Sequence, residues 1–452
     1  MKRLLIINAV GLAEDLISEK TPNLKHYYDQ NHQYLTPPVP AVTCTSQASL
    51  LTGKTPQEHG IVGNGWYFRD LAQVWLWRQA NQLIDGEKIW DKLKKKYPDF
   101  TCAKMFWWYN MYSSADFSAT PRPVYRSDGA KYPGSYTFPP ELNDELEKEF
   151  GTFPLFHFWG PMTSIKSSKW ISDSTIHVMN TRQPDMCLAY LPHLDYNLQR
   201  LGPKHPSIVT DMEELDILIG ELTKCAAKND YEVMILSEYG IQEVDKPIHI
   251  NRALRRDGFL NIKRECGEDH LDPGASRAFA VADHQIAHVY VANEDDIGKV
   301  VKTLEKCDGI AEILVGEERA KVQLDHPRSG EIICLSEKDA WFTYYFWLDD
   351  KLAPDFARAV DIHQKPGYDP VELFMVKGGK LKAAKTLLKK KLGFRYLMDV
   401  IPLDASLVKG SHGVLTETAA EGPILLSTIP LGNTESSLPM ENFSQLVENF
   451  YG

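Results

Sequence analysis

Seven short apolar runs punctuate the chain: LLIINAV (4–10), CAKMFWW (102–108), MCLAYLP (186–192), EVMILSEYG (232–240), AHVYVAN (287–293), EIICLS (331–336) and GPILLST (422–428). They are continuous rather than alternating, and rich in Val, Ile, Leu and Cys. Strands buried on both faces have that pattern, and a mostly parallel sheet under helices is what buries both faces. Between them, GEKIWDKLKKKY (86–97) and DMEELDILIGELTKCAAK (211–228) space their apolar residues at helical intervals. The predicted fold class is α/β: a mostly parallel sheet sandwiched between helices, one domain over 1–452, with inserted cap segments near 109–175 and 245–330.

No internal repeat or low-complexity linker is visible. Pro/Gly-rich stretches near 120–140 and 366–380 read as surface excursions, and KTLLKKKLGFRY (385–396) is basic and amphipathic. That last stretch is either a solvated helix face or a surface for anionic lipid. The opening MKRLLIINAVGLAED superficially resembles a signal peptide. Its apolar run is short, lacks a small-residue cleavage site and meets acidic residues at once, so a first buried strand is expected. No later stretch is long and apolar enough to cross a bilayer.

At or just beyond the carboxyl ends of three runs stand Asn8, Asp195 and Glu238, which β-propensity does not explain. In open α/β sheets the ligand crevice lies outside the carboxyl ends of the strands. These three groups are therefore expected to converge on one site.

Composition narrows the chemistry. The net charge of -11 argues against a nucleic-acid polymer as partner, but a local metal lets an acidic protein hold a small phosphorylated substrate. Seven scattered cysteines with no CxxC pair read as reduced thiols in a cytoplasmic protein, not as a disulfide frame or a cysteine zinc site. The oligomeric state is not legible.

AVTCTSQASLLTG (41–53) offers Thr43, Cys44, Thr45 and Ser46 in succession before a short helix that Gly53 ends. A hydroxyl at a helix start either caps it or lies at its positive end as a nucleophile or phosphate ligand. The longer segment AVTCTSQASLLTGKTPQEHGIVGN resembles the nucleophile segment of the nucleotide pyrophosphatase/phosphodiesterase branch of the alkaline phosphatase superfamily. In order along the chain, TPNL (21–24), KIW (88–90), MFWWY (105–109), YLPHLDYNLQRLGP (190–203), SEYG (237–240) and GSHG (410–413) are similar to further segments of that branch.

The resemblance implies an alkaline-phosphatase-like fold and a metal-dependent hydrolase of phosphodiester or pyrophosphate bonds. Thr43 would be its nucleophile and Asn64 the amide that holds phosphoryl oxygen charge; His59, in the family's HG, reads as structural. The family's two metal sites map onto Asn8, Thr43, Glu238 and Tyr239, and onto Asp195, Gln199 and His412. Four of these positions depart from the family's ligands: Asn8, Glu238, Tyr239 and Gln199. Only Asp195 and Glu238 remain as carboxylates against the charge of two divalent ions, and Asn or Gln oxygens suit harder ions than zinc. The implied cofactor is a divalent metal, zinc by resemblance, as one or two ions.

Further histidines are weaker candidate ligands, with a hydrogen-bonded structural role as the alternative: His193, two residues before Asp195; His284 and His288 in DHQIAHVYV; and His363 in DIHQKPGYDP. NGWYFRDLAQVWLWRQ (64–79) is aromatic-rich, either to stack a substrate or to pack the core. Arg69, Arg78 and Lys104 are candidate phosphate partners or plain structural charges. No Walker loop or dinucleotide fingerprint appears. Two rivals to the hydrolase remain: a chain that binds a phosphorylated metabolite without cleaving it, and a phosphoryl transferase.

Overall fold

The computed structural model describes residues 1–127, 130–431 and 436–452. Its centre is a nine-stranded sheet ordered Ser437–Pro439, His32–Thr36, Ile424–Ser427, Tyr231–Leu236, Arg3–Ala9, Met186–Leu191, Cys102–Met105, Phe117–Pro121, Ser135–Phe138. The five strands from Tyr231–Leu236 to Phe117–Pro121 are parallel neighbours. The sheet turns antiparallel at Ile424–Ser427 and at Ser135–Phe138. Every residue of Met186–Leu191 and all but the first of Arg3–Ala9 are buried. That double-sided burial is why these runs carry no polar alternation. The opening apolar run is thus a central strand of the sheet.

Helices Ile165–Thr181 and Ile208–Lys228 pack on each other and on the strands Met186–Leu191 and Tyr231–Leu236. Helices Thr43–Thr52, Ile89–Lys96 and Phe443–Tyr451 form a second group. Ile208–Lys228 buries Met212, Leu215, Ile219, Leu222 and Ala226 at helical spacing. Its buried Asp216 accepts from the backbone N–H of Asn23 (3.2 Å) and Leu24 (2.7 Å), satisfying the open first turn of helix Pro22–Gln30.

The two segments read as insertions have distinct roles. Within 109–175, Phe117–Pro121 and Ser135–Phe138 extend the main sheet. Within 245–330 begins a separate antiparallel sheet ordered Ala278–Asp283, Ile286–Val291, Ile332–Ser336, Ile310–Val315. The turn between its first two strands brings Asp283 and His284 to the carboxyl end of the main sheet. No helix among the described residues is long and apolar enough to cross a membrane.

Candidate active site

Parallel register aligns the central strands so that Asn8 pairs with Tyr190 and Leu236. The polypeptide leaves these strands at one end, and three polar groups meet there. Asn8 Nδ2 donates to Glu238 Oε1 at 2.5 Å, and Gln47 Nε2 donates to the same oxygen. Gln47 stands one helical turn after Thr43, on the same face, and its Oε1 accepts the Trp108 backbone N–H at 2.8 Å. Gly240 closes the turn behind Glu238: a Cβ there would lie 1.7 Å from the Glu421 carbonyl oxygen.

Thr43 is the first residue of helix Thr43–Thr52, after the extended Val42. Its hydroxyl does not cap the helix. The open N–H of Cys44 donates instead to Asn64 Oδ1 at 3.0 Å. Asn64 is held in turn by Asp283, whose Oδ2 accepts the Asn64 backbone N–H at 2.7 Å and whose Oδ1 accepts its side-chain amide at 3.0 Å. With the cap supplied from elsewhere, Thr43 Oγ1 faces the Tyr239 hydroxyl at 3.2 Å.

Tyr239 links nucleophile candidate to carboxylate. Its hydroxyl donates to Asp195 Oδ1 at 3.1 Å, while Gln199 Nε2 donates to Asp195 Oδ2 at 2.7 Å and Tyr368 donates to Gln199 Oε1 at 2.9 Å. Four rings lie in series along this chain: Tyr239 stacks on His412 (3.5 Å between centroids, 7° apart), His412 meets His284 at a tilt of 37° (3.7 Å), and His284 stacks on Tyr368 (3.7 Å). Trp77 packs on Trp108 and Tyr368, and Trp159 on Tyr368, giving this end an aromatic wall.

Burial sets the protonation. It lifts Glu238 to about 8, against the hydrogen bonds of Gln47 and Asn8, and lifts Asp195 and Asp283 each to about 6. It drives His412 down to about 3 and His284 well below the usual imidazole value. His412 is therefore neutral. Its Nδ1 lies 2.7 Å from the Ala41 carbonyl, which only accepts, so Nδ1 carries the hydrogen and the Nε2 lone pair is bare. Histidines that ligate metals are oriented in this way.

Asn8 Oδ1, His412 Nε2 and His284 Nδ1 are buried here without a hydrogen-bond partner. A buried unsatisfied polar atom costs about 1–3 kcal/mol, and a cation would satisfy the acceptors among them. The donor types would suit a divalent ion, but Glu238 is protonated at neutral pH and, among the described residues, no three carboxylate or imidazole ligand atoms of this cluster lie within 4.8 Å of one another, so an ion would have to displace that proton and draw the groups together.

The other candidates are placed elsewhere. His288 is fully engaged by the Val62 carbonyl (2.9 Å) and the Gly330 N–H (3.3 Å), and His59 by Ser49 (3.0 Å) and the Ile61 N–H (3.0 Å). His363 is half-buried near Arg78. His193 opens helix His193–Leu201, because the strand ends at Leu191. Two residues apart on a helix point in different directions, so His193 faces Glu214 (3.0 Å) and Asp211 (3.6 Å) while Asp195 faces Tyr239. Among the described residues, His193, Asp211 and Glu214 form the one trio of His, Cys, Asp or Glu with ligand atoms within 4.8 Å of one another. Arg69 pairs with Glu331, Lys104 bonds the carbonyls of Trp108 and Tyr109, and Arg78 lies over Trp75.

The type I phosphodiesterase/nucleotide pyrophosphatase family model matches residues 4–369. The chain belongs to this family. Its members hydrolyse phosphodiester and pyrophosphate bonds and typically depend on divalent metal. The match contains Thr43, Asn64, Asp195 and Glu238, and His412 lies beyond it.

An uncharacterised pyrophosphatase/phosphodiesterase of Schizosaccharomyces pombe is 22% identical over 302 residues, 64% of this chain and 54% of the relative. The chain thus spans about half the length of that curated relative. Phosphonoacetate hydrolase from Sinorhizobium meliloti superposes with a TM-score of 0.63 at 12% identity, covering 99% of this chain and 95% of that one. Murine ectonucleotide pyrophosphatase/phosphodiesterase 5 does so with 0.59 at 13%, covering 99% and 95%. The fold is shared.

Two residues of this candidate site escaped the sequence. Gln47 carried a usable signal, its i,i+4 spacing from Thr43. Asp283 carried none, since its partner Asn64 is 219 residues away.

Proposed function

We propose that this chain hydrolyses a phosphodiester or pyrophosphate bond of a small substrate, with Thr43 as nucleophile. The observation that carries the reading is that Asn64 caps the helix in place of Thr43, so the threonine hydroxyl is not spent on the helix and instead faces the Tyr239 hydroxyl at a positive helix end. Thr43 Oγ1 attacks phosphorus and the leaving alkoxide or phosphate departs, giving a phosphothreonine; water then breaks the P–Oγ1 bond. The threonine proton has a path through the Tyr239 hydroxyl to Asp195 Oδ1. Asn64, fixed by Asp283, directs its remaining amide hydrogen at phosphoryl oxygen.

Asn8, Thr43, Glu238 and Tyr239 would hold one cation, and Asp195, Gln199 and His412 another. A bound divalent ion supplies charge neutralisation at phosphorus and a lowered pKa at its oxygen ligands. The imidazole–carboxylate pair suits zinc, while the amide-rich set suits a harder ion. The aromatic wall of Trp77, Trp108 and Tyr368 favours a substrate with a planar group, such as a nucleotide; a murine family neighbour has been solved with AMP. Seven unpaired cysteines, five of them buried, support a reducing, cytoplasmic setting.

Because both Asp195 oxygens already accept from neutral donors, binding without hydrolysis is the second reading. Assay of bis(p-nitrophenyl) phosphate, with metal content measured in parallel, separates them. Hydrolysis is expected, abolished by Thr43→Ala with the fold intact. Bound metal should fall in His412→Ala and not in His193→Ala. Substrate binding without turnover under every metal tested would refute the hydrolase.

A further inference from the structure

The helix Gly379–Lys391 faces outward with the wrong side for a solvated helix. Its buried positions are Gly379 and Thr386, and Ala383 packs against the core. Leu381, Leu388 and Leu392 are spaced by seven and four residues, which aligns them in one stripe. That stripe lies opposite the buried side and is open to solvent, with Leu381 80% and Leu392 63% exposed. By the helical step, Lys385 and Lys389 flank it on one side and Lys380 and Lys391 on the other. Beyond the helix, Phe394 is 64% exposed and Tyr396 and Leu397 are exposed as well.

The charge is as uneven as the hydrophobicity. From 377 to 397 the chain carries eight Lys and Arg and no Asp or Glu, in a protein of net charge -11. Among the described residues only Lys382 of this stretch pairs with a carboxylate, that of Asp399 at 2.6 Å. Lys390, by the same step, turns to the protein side of the helix, where it stands over the rings of Tyr132 and Tyr396 at 5.8 and 5.4 Å from their centroids.

We propose that this face docks on the surface of an anionic lipid bilayer, the helix lying in the interface plane. The leucine stripe and Phe394 enter the acyl boundary while the flanking lysines reach the headgroups. A merely solvated helix would expose its lysines and bury its leucines; here both are exposed together. The lysines that flank the stripe are complementary to negative headgroups rather than to a neutral apolar partner. At thirteen residues the helix is about 20 Å long, so it lies on a bilayer rather than crossing it. The inference is independent of the hydrolase reading.

The test is sedimentation of the full chain with vesicles of phosphatidylcholine alone or with about 30% phosphatidylserine. Binding is expected about tenfold tighter to the anionic vesicles, and weaker in about 0.5 M salt. The double variant Leu388→Glu, Leu392→Glu should lose that binding and keep the wild-type melting temperature, because both side chains touch solvent. Equal binding to both vesicle types, no binding to either, or an unaffected double variant overturns the proposal. Retention on immobilised polyglutamate without vesicle binding also overturns it and assigns the face to an acidic protein.

Discussion

Asp283→Asn tests whether the carboxylate behind Asn64 does what its geometry implies. In the native protein both Asp283 oxygens accept from Asn64. An asparagine offers one acceptor and one NH2, so one Asn64 donor would face another donor in a buried site, at a cost of about 1–3 kcal/mol. Ionisation works the other way. Burial lifts Asp283 from 3.8 to about 6, which disfavours its charged form by about 3 kcal/mol.

Because the native pKa lies above the unfolded one, the folded protein binds this proton more tightly. The group therefore contributes stability below about pH 4, and that contribution fades as pH rises through about 6. Asp283→Asn removes it. The wild type should therefore gain up to about 3 kcal/mol over the variant between pH 7 and 4. Urea unfolding followed by tryptophan fluorescence at several pH values measures the difference. In parallel, kcat should fall about 10²–10³-fold if Asn64 loses its aim, with KM little changed. A stability difference flat in pH, together with unaltered kcat, would refute the reasoning.

Three further outcomes follow from the packing. Tyr239→Phe keeps the stacked ring but strips the hydroxyl between Thr43 and Asp195; kcat should drop at least about tenfold, and the pH–rate profile should lose or move its acidic limb. Lys365→Met leaves the buried Asp369 and Glu372, each 2.7 Å from its ammonium, without a counter-charge. Thermal or urea unfolding should show about 3–5 kcal/mol lost at neutral pH, and a loss under about 1 kcal/mol would contradict this ion-pair account. Gly240→Ala places a methyl 1.7 Å from a backbone oxygen and should yield no soluble folded protein, whereas Gly151→Ala, with open space around its Cβ, should remain soluble despite its positive φ.

Much of this protein was legible in one dimension. Parallel strands buried on both faces must be apolar throughout, so runs such as 4–10 and 186–192 announced the sheet, and polar residues at their carboxyl ends announced a site. The ordered motifs around Thr43, Asp195, Glu238 and His412 carried the family.

What the sequence could not determine is how the hydroxyls, amides and rings partner one another, because those contacts join residues far apart in the chain. Only the fold shows that Asn64, not Thr43, caps the helix, and that Asp283 holds Asn64. Ending the strand at Leu191 turned His193 away toward Asp211 and Glu214. The turn after Asp283 put His284, but not His288, on the ring stack. The basic stretch near 385–396 read first as a solvated face, with a lipid surface as the alternative; which of its sides is buried is visible only in the fold. Periodicity fixes which residues share a face; only packing decides which face is turned inward.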